Sequence, residues 1–412
     1  MRVWVLAAAL LVASAGAFCP SGCECDESGF SVRCLGVGIT MVPILLNPGL
    51  KQLKLSYNLI SSIKEAFAFY EWLEELDLSH NGVSSLENGN FEQQNFLREL
   101  RLGHNNISSI LPHSFKGLSS LHVLDLTHNS LVEIPPVFLQ DSVKLKVLLL
   151  ANNHILSVTT KAFRGLASLR ILDLCSNFLR RVPGAALESV SATLETLQMC
   201  RNRLIGIEPD DFPTFNLKSL SLESNSITFI DPLAFVLLEK LQKLNINNNL
   251  LSDIPTRSFA SLHSLTSLHL SRNNISVIRD RAFQGLMRLS FLEVSRCPDL
   301  KYVSPLSLSH CTNLHTLKLS YNMQLQHLPA EVLSLLPRLH SLEMRANGFQ
   351  TIQESSIPWG PLESLDLRDN PFVCNCSLRW LLKALQQRNS SLTVTDILCN
   401  APENLHGLYL ST

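Results

Sequence analysis

The chain has 412 residues, with 34 lysines and arginines against 35 aspartates and glutamates, which gives a formal net charge of −1. This balance argues against a nucleic-acid-binding protein, and a hydrophobic content of 46% excludes an intrinsically disordered chain. The chain is too long for one ordinary core, and leucine makes up about a fifth of it, so we expect several domains or a leucine-based repeat array.

The first residues have the pattern of a secretory signal peptide. Arg2 precedes an apolar stretch over 3–13, and Ala15-Gly16-Ala17 has the small-x-small form of a cleavage site. We therefore predict that residues 1–17 are removed on export and that the mature chain begins near Phe18. The later sequence has no apolar run of 18 residues, so no membrane span is expected within it.

Export exposes the chain to glycosylation and to an oxidising compartment. Asn-x-Ser/Thr acceptors predict glycans at Asn106, Asn274 and Asn389. A fourth acceptor, Asn375, lies between two cysteines and is a poorer candidate. The chain has 11 cysteines: four near the N-terminus, three near the C-terminus and four that stand alone in the middle.

One frame recurs fourteen times between the cysteine clusters, at intervals of 23 to 25 residues. It reads L-x-x-L-x-L-x-x-N-x-L, which is the signature of a leucine-rich repeat. Matches in register over residues 50–370 predict one continuous array. We number the repeats 1 to 14 by their first residues, which are Leu50, Leu73, Leu97, Leu121, Leu145, Leu169, Leu194, Leu217, Leu241, Leu265, Leu289, Leu314, Leu339 and Leu362.

The frame predicts a leucine-rich repeat solenoid, a curved α/β horseshoe with a parallel sheet on its concave face and an irregular or short-helical convex side. The L-x-L alternation is that of a short strand with one face inward. Asparagine at position nine, replaced only by Cys297, predicts a buried ladder of amides that bond the turn backbone. Phenylalanines at the same spacing, from Phe67 to Phe283, predict an aromatic spine behind the sheet.

Position eight carries a ring in each of the first four repeats: Tyr57, His80, His104 and His128. We expect these rings to stack beside the sheet. No cysteine or carboxylate completes a tetrahedral zinc site, so a surface whose charge depends on pH is the favoured interpretation.

Positions three, five and seven point out of the concave face, and they turn apolar in repeats 4 to 6. Leu149 stands out because Asp125 and Asp173 occupy the same column in the repeats on either side. An exposed apolar patch rimmed by polar groups is typical of a binding site. The residues predicted to bind a partner are Val123, Val147, Leu149, Ile171, His104 and His128.

The four middle cysteines divide into two pairs. Cys175 and Cys200 take position seven in adjacent repeats, where strands about 4.8 Å apart bring a disulfide within reach. Side chains at matching positions of parallel strands point the same way, which strains such a bridge. The sequence therefore favours neither a disulfide nor two free thiols at Cys175 and Cys200. Cys297 and Cys311 fall at opposite edges of the sheet and are predicted to be buried free thiols.

Cysteine-rich segments flank the array, at 18–49 and 371–412. The first contains CPSGCECDESGFSVRC and the second contains NPFVCNCSLRWLLKAL followed by CNAPENLHG. Both resemble the caps of extracellular leucine-rich repeat proteins of the Slit, Nogo receptor and Capricious/Tartan kind. Such caps would cover the two open ends of the core.

The resemblance also implies a disulfide pattern. The pairs it implies are Cys19–Cys25, Cys23–Cys34 and Cys374–Cys399. Caps of this kind carry four cysteines at the C-terminal end, whereas this chain has three, so Cys376 lacks its partner. We therefore expect the natural chain to continue beyond Thr412, and any membrane anchor to lie there.

The resemblance implies a function in recognition. The sequence lacks G-x-x-x-x-G-K-[ST], H-E-x-x-H and G-x-S-x-G, so we expect neither an enzyme nor a cofactor. The expected function is extracellular binding of a protein ligand on the concave face, in adhesion, guidance or signalling, by a secreted or cell-surface protein. The alternatives are a matrix protein of the small leucine-rich proteoglycan type and an innate immune ectodomain; a homodimer is also open.

Overall fold

The computed structural model describes residues 19–26, 28, 30–64, 66–214, 216–386, 393–394 and 396–410. The predicted signal peptide, Phe18 and the glycan acceptor Asn389 lie outside these residues. Within them the chain is the parallel solenoid that the repeat frame predicts, so the predicted fold class is confirmed.

Each repeat contributes one strand of three residues, at positions three to five of the frame. Its middle residue is buried, whereas the first is partly or fully exposed and points into the concave face. The fourteen strands are Gln52–Lys54, Glu75–Asp77, Glu99–Arg101, Val123–Asp125, Val147–Leu149, Ile171–Asp173, Thr196–Gln198, Ser219–Ser221, Lys243–Asn245, Ser267–His269, Phe291–Glu293, Thr316–Lys318, Ser341–Glu343 and Ser364–Asp366.

Three more strands extend this sheet beyond the array. Glu24–Asp26 pairs antiparallel with Ser31–Arg33, which in turn pairs parallel with the strand of repeat 1. At the other end, Thr393–Val394 pairs parallel with the strand of repeat 14. The flanking segments thus occupy the first and last edges of the repeat sheet, which would otherwise be unpaired.

The opposite side of the solenoid has short, irregular elements, as predicted. Pairs of two-residue strands join neighbouring coils: Glu133–Ile134 with Ser157–Val158, Gly206–Ile207 with Phe229–Ile230, and Val277–Ile278 with Tyr302–Val303. The α-helices of the array are Gly184–Leu187, Thr256–Phe259 and Ala330–Ser334, and its 3-10 turns are Glu188–Val190 and Glu354–Ser356. The C-terminal cysteine-rich segment contains the α-helix Arg379–Gln386 and the 3-10 turns Cys376–Leu378 and Glu403–Leu405.

Among the described residues, the helices are all too short or too polar to cross a membrane.

The core is a continuous column of leucines backed by the aromatic spine. Phe67, Phe91, Phe115 and their successors to Phe283 are buried, and Leu187 takes the place between Phe163 and Phe212. Neighbouring rings from Phe67 to Phe138 and from Phe212 to Phe259 lie 5.8 to 6.4 Å apart between centroids. The predicted spine is therefore confirmed. It packs behind the sheet together with buried leucines and isoleucines of the turns.

The predicted amide ladder is also confirmed, and Asn153 illustrates it. Its Nδ2 donates to the carbonyls of Leu126, Leu150 and Ala151 at 3.0, 3.1 and 3.3 Å, and its Oδ1 accepts from the Leu131 N–H at 3.0 Å. Each such side chain therefore bonds both its own coil and the preceding one. This pairing satisfies turn backbone that the strands do not.

Four disulfides join cysteines within the described residues. Three are the pairs that the family resemblance implies, Cys19–Cys25, Cys23–Cys34 and Cys374–Cys399. The fourth joins Cys175 to Cys200 with 4.5 Å between Cα atoms, which resolves the alternative that the sequence left open.

Three cysteines are free. Cys297 and Cys311 are buried, and burial raises the pKa of the Cys297 thiol to about 11 and that of Cys311 to about 12. A thiol that stays protonated is a poor nucleophile and metal ligand, so both act as core residues, as predicted. Cys376 is free and exposed.

Candidate protein-binding surface

The turn that follows each strand has one backbone conformation throughout the array. All fourteen residues at position eight have φ between 52° and 62°, although none is glycine. The ladder asparagine at the next position bonds the carbonyls just before it and so holds this left-handed turn in place. Side chains at position eight therefore form a regular row along one rim of the concave sheet.

Four rings of this row stack face to face, as the sequence predicts. Tyr57 lies 4.1 Å from His80, and His80–His104 and His104–His128 are each 4.0 Å apart between ring centroids. Partial burial is the main cause that lowers the pKa of His104, and the neighbouring His128 and His80 add to it, whereas Asp125 opposes it. The described residues hold no group of three or more His, Cys, Asp or Glu side chains placed to bind a metal ion.

The apolar side chains of repeats 4 to 6 are brought together on the concave face. Val123, Val147 and Ile171 are register partners on adjacent strands, and Leu149 lies two residues after Val147. All four are partly exposed, and Ala151 beside them is 6% exposed. We call this group, defined as Val123, Val147, Leu149, Ala151 and Ile171, the central apolar patch.

Two aspartates frame Leu149. Asp125 and Asp173 are its register partners on the two neighbouring strands. Each carboxylate accepts from a backbone N–H two residues on, Thr127 at 2.8 Å and Cys175 at 2.9 Å. Burial raises the pKa of Asp173, and the charge of Asp125 raises it further. A partner that docks on the concave face would therefore meet the apolar Leu149 side chain between two carboxylate hydrogen-bond acceptors.

The Cys175–Cys200 disulfide borders the patch. Ala151, Cys175 and Cys200 take position seven in three successive repeats, so the bridge continues the row that Ala151 begins. Cys175 is 5% exposed, and its sulfur also accepts from the Cys200 N–H at 3.0 Å. The disulfide thus joins repeat 6, which contributes Ile171 to the patch, to repeat 7 beyond it.

A second cluster, in repeats 10 and 11, was not foreseen from the sequence. His269 Nε2 lies 3.0 Å from Ser267 Oγ, and its Nδ1 lies 2.9 Å from a Glu293 carboxylate oxygen. The imidazole also packs against Phe291, with the two rings tilted by 34° and their centroids 4.8 Å apart. The hydrogen bond to His269 is the main cause that lowers the pKa of Glu293. These contacts fix the aromatic pair on the open sheet.

The same surface continues as an aromatic and cationic row. The Arg296 guanidinium lies 4.2 Å and that of Arg345 5.9 Å from the centroid of the Tyr321 ring. Lys318 lies 5.9 Å from the Phe291 ring. Phe291 takes position three of repeat 11, a position that is polar in most repeats. This apolar exception is the sequence feature that could have indicated the region.

The predicted glycan acceptors that fall within the described residues are both exposed. Asn106 and Asn274 occupy position ten, directly after a ladder asparagine, in repeats 3 and 10. Asn106 Oδ1 accepts from the Ser130 hydroxyl at 3.2 Å. Both stay predictions as glycan sites.

The repeat geometry has a counterpart among known families. The leucine-rich repeat model matches residues 71–131, 95–155, 143–193, 192–251 and 239–298, which together span more than half of the chain. This chain belongs to the leucine-rich repeat proteins. Proteins of this family present a broad curved surface in place of a closed pocket.

Similar proteins include both membrane proteins and solved repeat structures. Leucine-rich repeat transmembrane protein FLRT2 of Rattus norvegicus is 29% identical over 98 residues, which are 24% of this chain and 15% of that protein. The match therefore covers a small part of that relative's length. Leptospira interrogans LRR protein LIC12759 has a TM-score of 0.68 at 25% identity, over 88% of this chain and 94% of that one.

The fold also occurs in a protein complex. A chain of the LRIM1/APL1C complex superposes with a TM-score of 0.70 at 23% identity, covering 88% of this chain and 66% of that one. This likeness concerns the fold.

Proposed function

We propose that this chain is an extracellular recognition module that binds a protein partner on its concave face, at the central apolar patch, in cell adhesion, guidance or signalling. The main support for this proposal is Leu149. It is a partly exposed leucine, and its register partners on the two neighbouring strands are both aspartates. The solenoid core does not need an apolar group there, because the inward positions on either side, Leu148 and Leu150, are fully buried.

An extracellular location is supported by the four disulfides, which form and persist in oxidising compartments. The relative FLRT2 is a transmembrane protein by name. We therefore place the module at the cell surface or in the secreted fraction, with the predicted signal peptide at 1–17 directing its export.

The patch also defines the chemistry of its partner. An apolar side chain of the partner would seat against Leu149, and hydrogen-bond donors or a cation beside it would meet Asp125 and Asp173. Such a donor would favour the ionised form of Asp173, whose pKa is raised in the free protein. The partner surface is thus expected to be an apolar knob flanked by basic or amide groups.

The test is Leu149→Asp, compared with Ser221→Asp, which adds the same charge at the same position of repeat 8. Both side chains are partly exposed, so both variants should fold. Leu149→Asp should melt at a lower temperature than Ser221→Asp, because its new carboxylate lies between Asp125 and Asp173. To find a partner, the protein is fused to an antibody Fc and applied to cells that each display one extracellular domain. The affinity for each domain that binds, called a hit, is then measured by biolayer interferometry.

Leu149→Asp should weaken binding to a hit by at least tenfold, or more than about 1.4 kcal/mol, which is the scale of a central anchor residue. Ser221→Asp should change it less than twofold. A folded Leu149→Asp protein that binds with full affinity would move the site away from the central apolar patch.

A further inference from the structure

A pocket of about 470 Å³ lies at the edge of the sheet where the strands of repeats 5 to 9 begin. Its charged lining comes from five side chains. Four take position two of the frame, and the fifth directly precedes position one of repeat 9. They are Lys146, Arg170, Glu195, Lys218 and Lys240. All but Glu195 are exposed.

Glu195 neutralises only part of this charge. Its two oxygens lie 2.9 Å from Lys218 Nζ and 3.9 Å from an Arg170 guanidinium nitrogen. The hydrogen bond from Lys218 is the main cause that lowers the pKa of Glu195, so the carboxylate is ionised. Two of the four cations share one carboxylate, and the other two add an uncompensated charge.

The same edge in the first repeats provides a comparison. Glu74 lies 3.2 Å from Lys51 and 3.7 Å from Arg98, so one carboxylate again joins two cations. In repeats 5 to 9 this unit recurs with Lys146 and Lys240 added to it. Among the described residues, no carboxylate lies within ion-pair distance of either lysine.

Lys240 is held at the pocket by a fixed neighbour. The Asn216 side chain accepts from the Lys240 ammonium and donates to the Ala192 carbonyl, and Asn216 is partly buried. An ammonium that is already positioned loses less freedom when it binds an anion. Four cations and one carboxylate leave a local charge of +3 on a chain whose net charge is −1.

We propose that this pocket binds the sulfate groups of an acidic glycan chain. Sulfate oxygens accept hydrogen bonds from ammonium and guanidinium groups, and several closely spaced cations suit a polyanion better than a single ion. Strands lie about 4.8 Å apart, so repeats 5 to 9 span about 19 Å, which accommodates several sulfates on an extended sugar. The pocket lies on the edge and shares no residue with the central apolar patch.

The probe is heparin, measured by isothermal calorimetry at 50 to 300 mM NaCl. The variant Lys146→Glu/Lys240→Glu is compared with Lys161→Glu/Lys301→Glu, which makes the same charge change at exposed lysines outside the main sheet. Lys146→Gln/Lys240→Gln repeats the test without charge reversal, should the first variant fold poorly.

We expect the pocket variant to bind heparin at least tenfold more weakly, with the slope of log K against log salt reduced by about two, because two ammonium contacts are lost. The control variant should stay within twofold. Leu149→Asp should bind heparin normally, which separates this site from the proposed protein site.

Two further polyanions decide the ligand class. Polyphosphate shares the chemistry of sulfate, and polyglutamate shares only its charge. Binding of either as tightly as heparin would overturn the assignment to sulfated glycans. The assignment also fails if unmodified protein does not bind heparin at 150 mM NaCl, or if the control variant loses as much affinity as the pocket variant.

Discussion

The amide ladder makes a sharp prediction for Asn153→Leu, a change that adds apolar bulk to a position 4% exposed. The three carbonyls that Asn153 bonds keep other partners after the change. Leu126 O still accepts from Asn129 at 3.1 Å, Leu150 O from Asn177 at 3.0 Å, and Ala151 O from the His128 N–H at 2.9 Å.

The Leu131 N–H is different, because its bond to Asn153 Oδ1 at 3.0 Å is the one that satisfies it. Leaving that donor buried and unpaired costs about 1–3 kcal/mol, and weakening the three carbonyl contacts adds about 1 kcal/mol. Asn153→Leu should therefore lower the free energy of unfolding by about 2–4 kcal/mol, a large fraction of ordinary domain stability.

The matched control is Asn152→Ser, one residue earlier on the exposed rim. Asn152 has φ 56°, and Ser176 and Ser224 occupy the same position at 55° and 57°, so serine fits this turn. It should change stability by less than about 0.5 kcal/mol. Urea unfolding followed by circular dichroism measures both. Equal losses for the two variants would refute the ladder as the source of the effect.

Two further predictions concern the rim of the concave face. Cys175→Ser/Cys200→Ser opens a bridge between residues 25 apart and should lower the free energy of unfolding by about 3.5 kcal/mol in the chain-entropy model; unchanged urea midpoints without reductant would contradict it. The lowered pKa of His104 means that folding favours the neutral ring, so stability is complete above pH 6.5 and falls as the pH drops through the folded-state pKa. The melting temperature should thus fall less between pH 7.5 and 5.5 in His104→Asn than in the unmodified protein, whereas His263→Asn should leave that fall unchanged.

Much of the fold was predictable because the frame repeats. A side chain that recurs every 23 to 25 residues meets its counterpart in the next coil, so the burial of Asn153 and the stacking of His80 on His104 follow from spacing alone. The central apolar patch follows from the same argument, since Val123, Val147 and Ile171 share one position.

Features that depend on local distance were not predictable in this way. The Cys175–Cys200 bridge requires the sulfurs to turn toward each other across parallel strands, which the period does not specify. The contacts of His269 depend on the reach of Glu293 from the next strand. The edge pocket depends on Asn216 and Lys240, which lie between the repeating positions and carry no periodic signal.

Because the left-handed turn at position eight is the same in every repeat, the shape of the solenoid does not depend on which side chains occupy its rim. Tyrosine, histidine, arginine, serine and aspartate all occur there with the same backbone conformation. Each coil contacts only its neighbours, so coils can be duplicated or deleted by recombination without bending the rest. A duplicated repeat 3 would lengthen the ring row by one histidine. The rim residues can therefore change during evolution, one coil at a time, while the backbone of the solenoid stays the same.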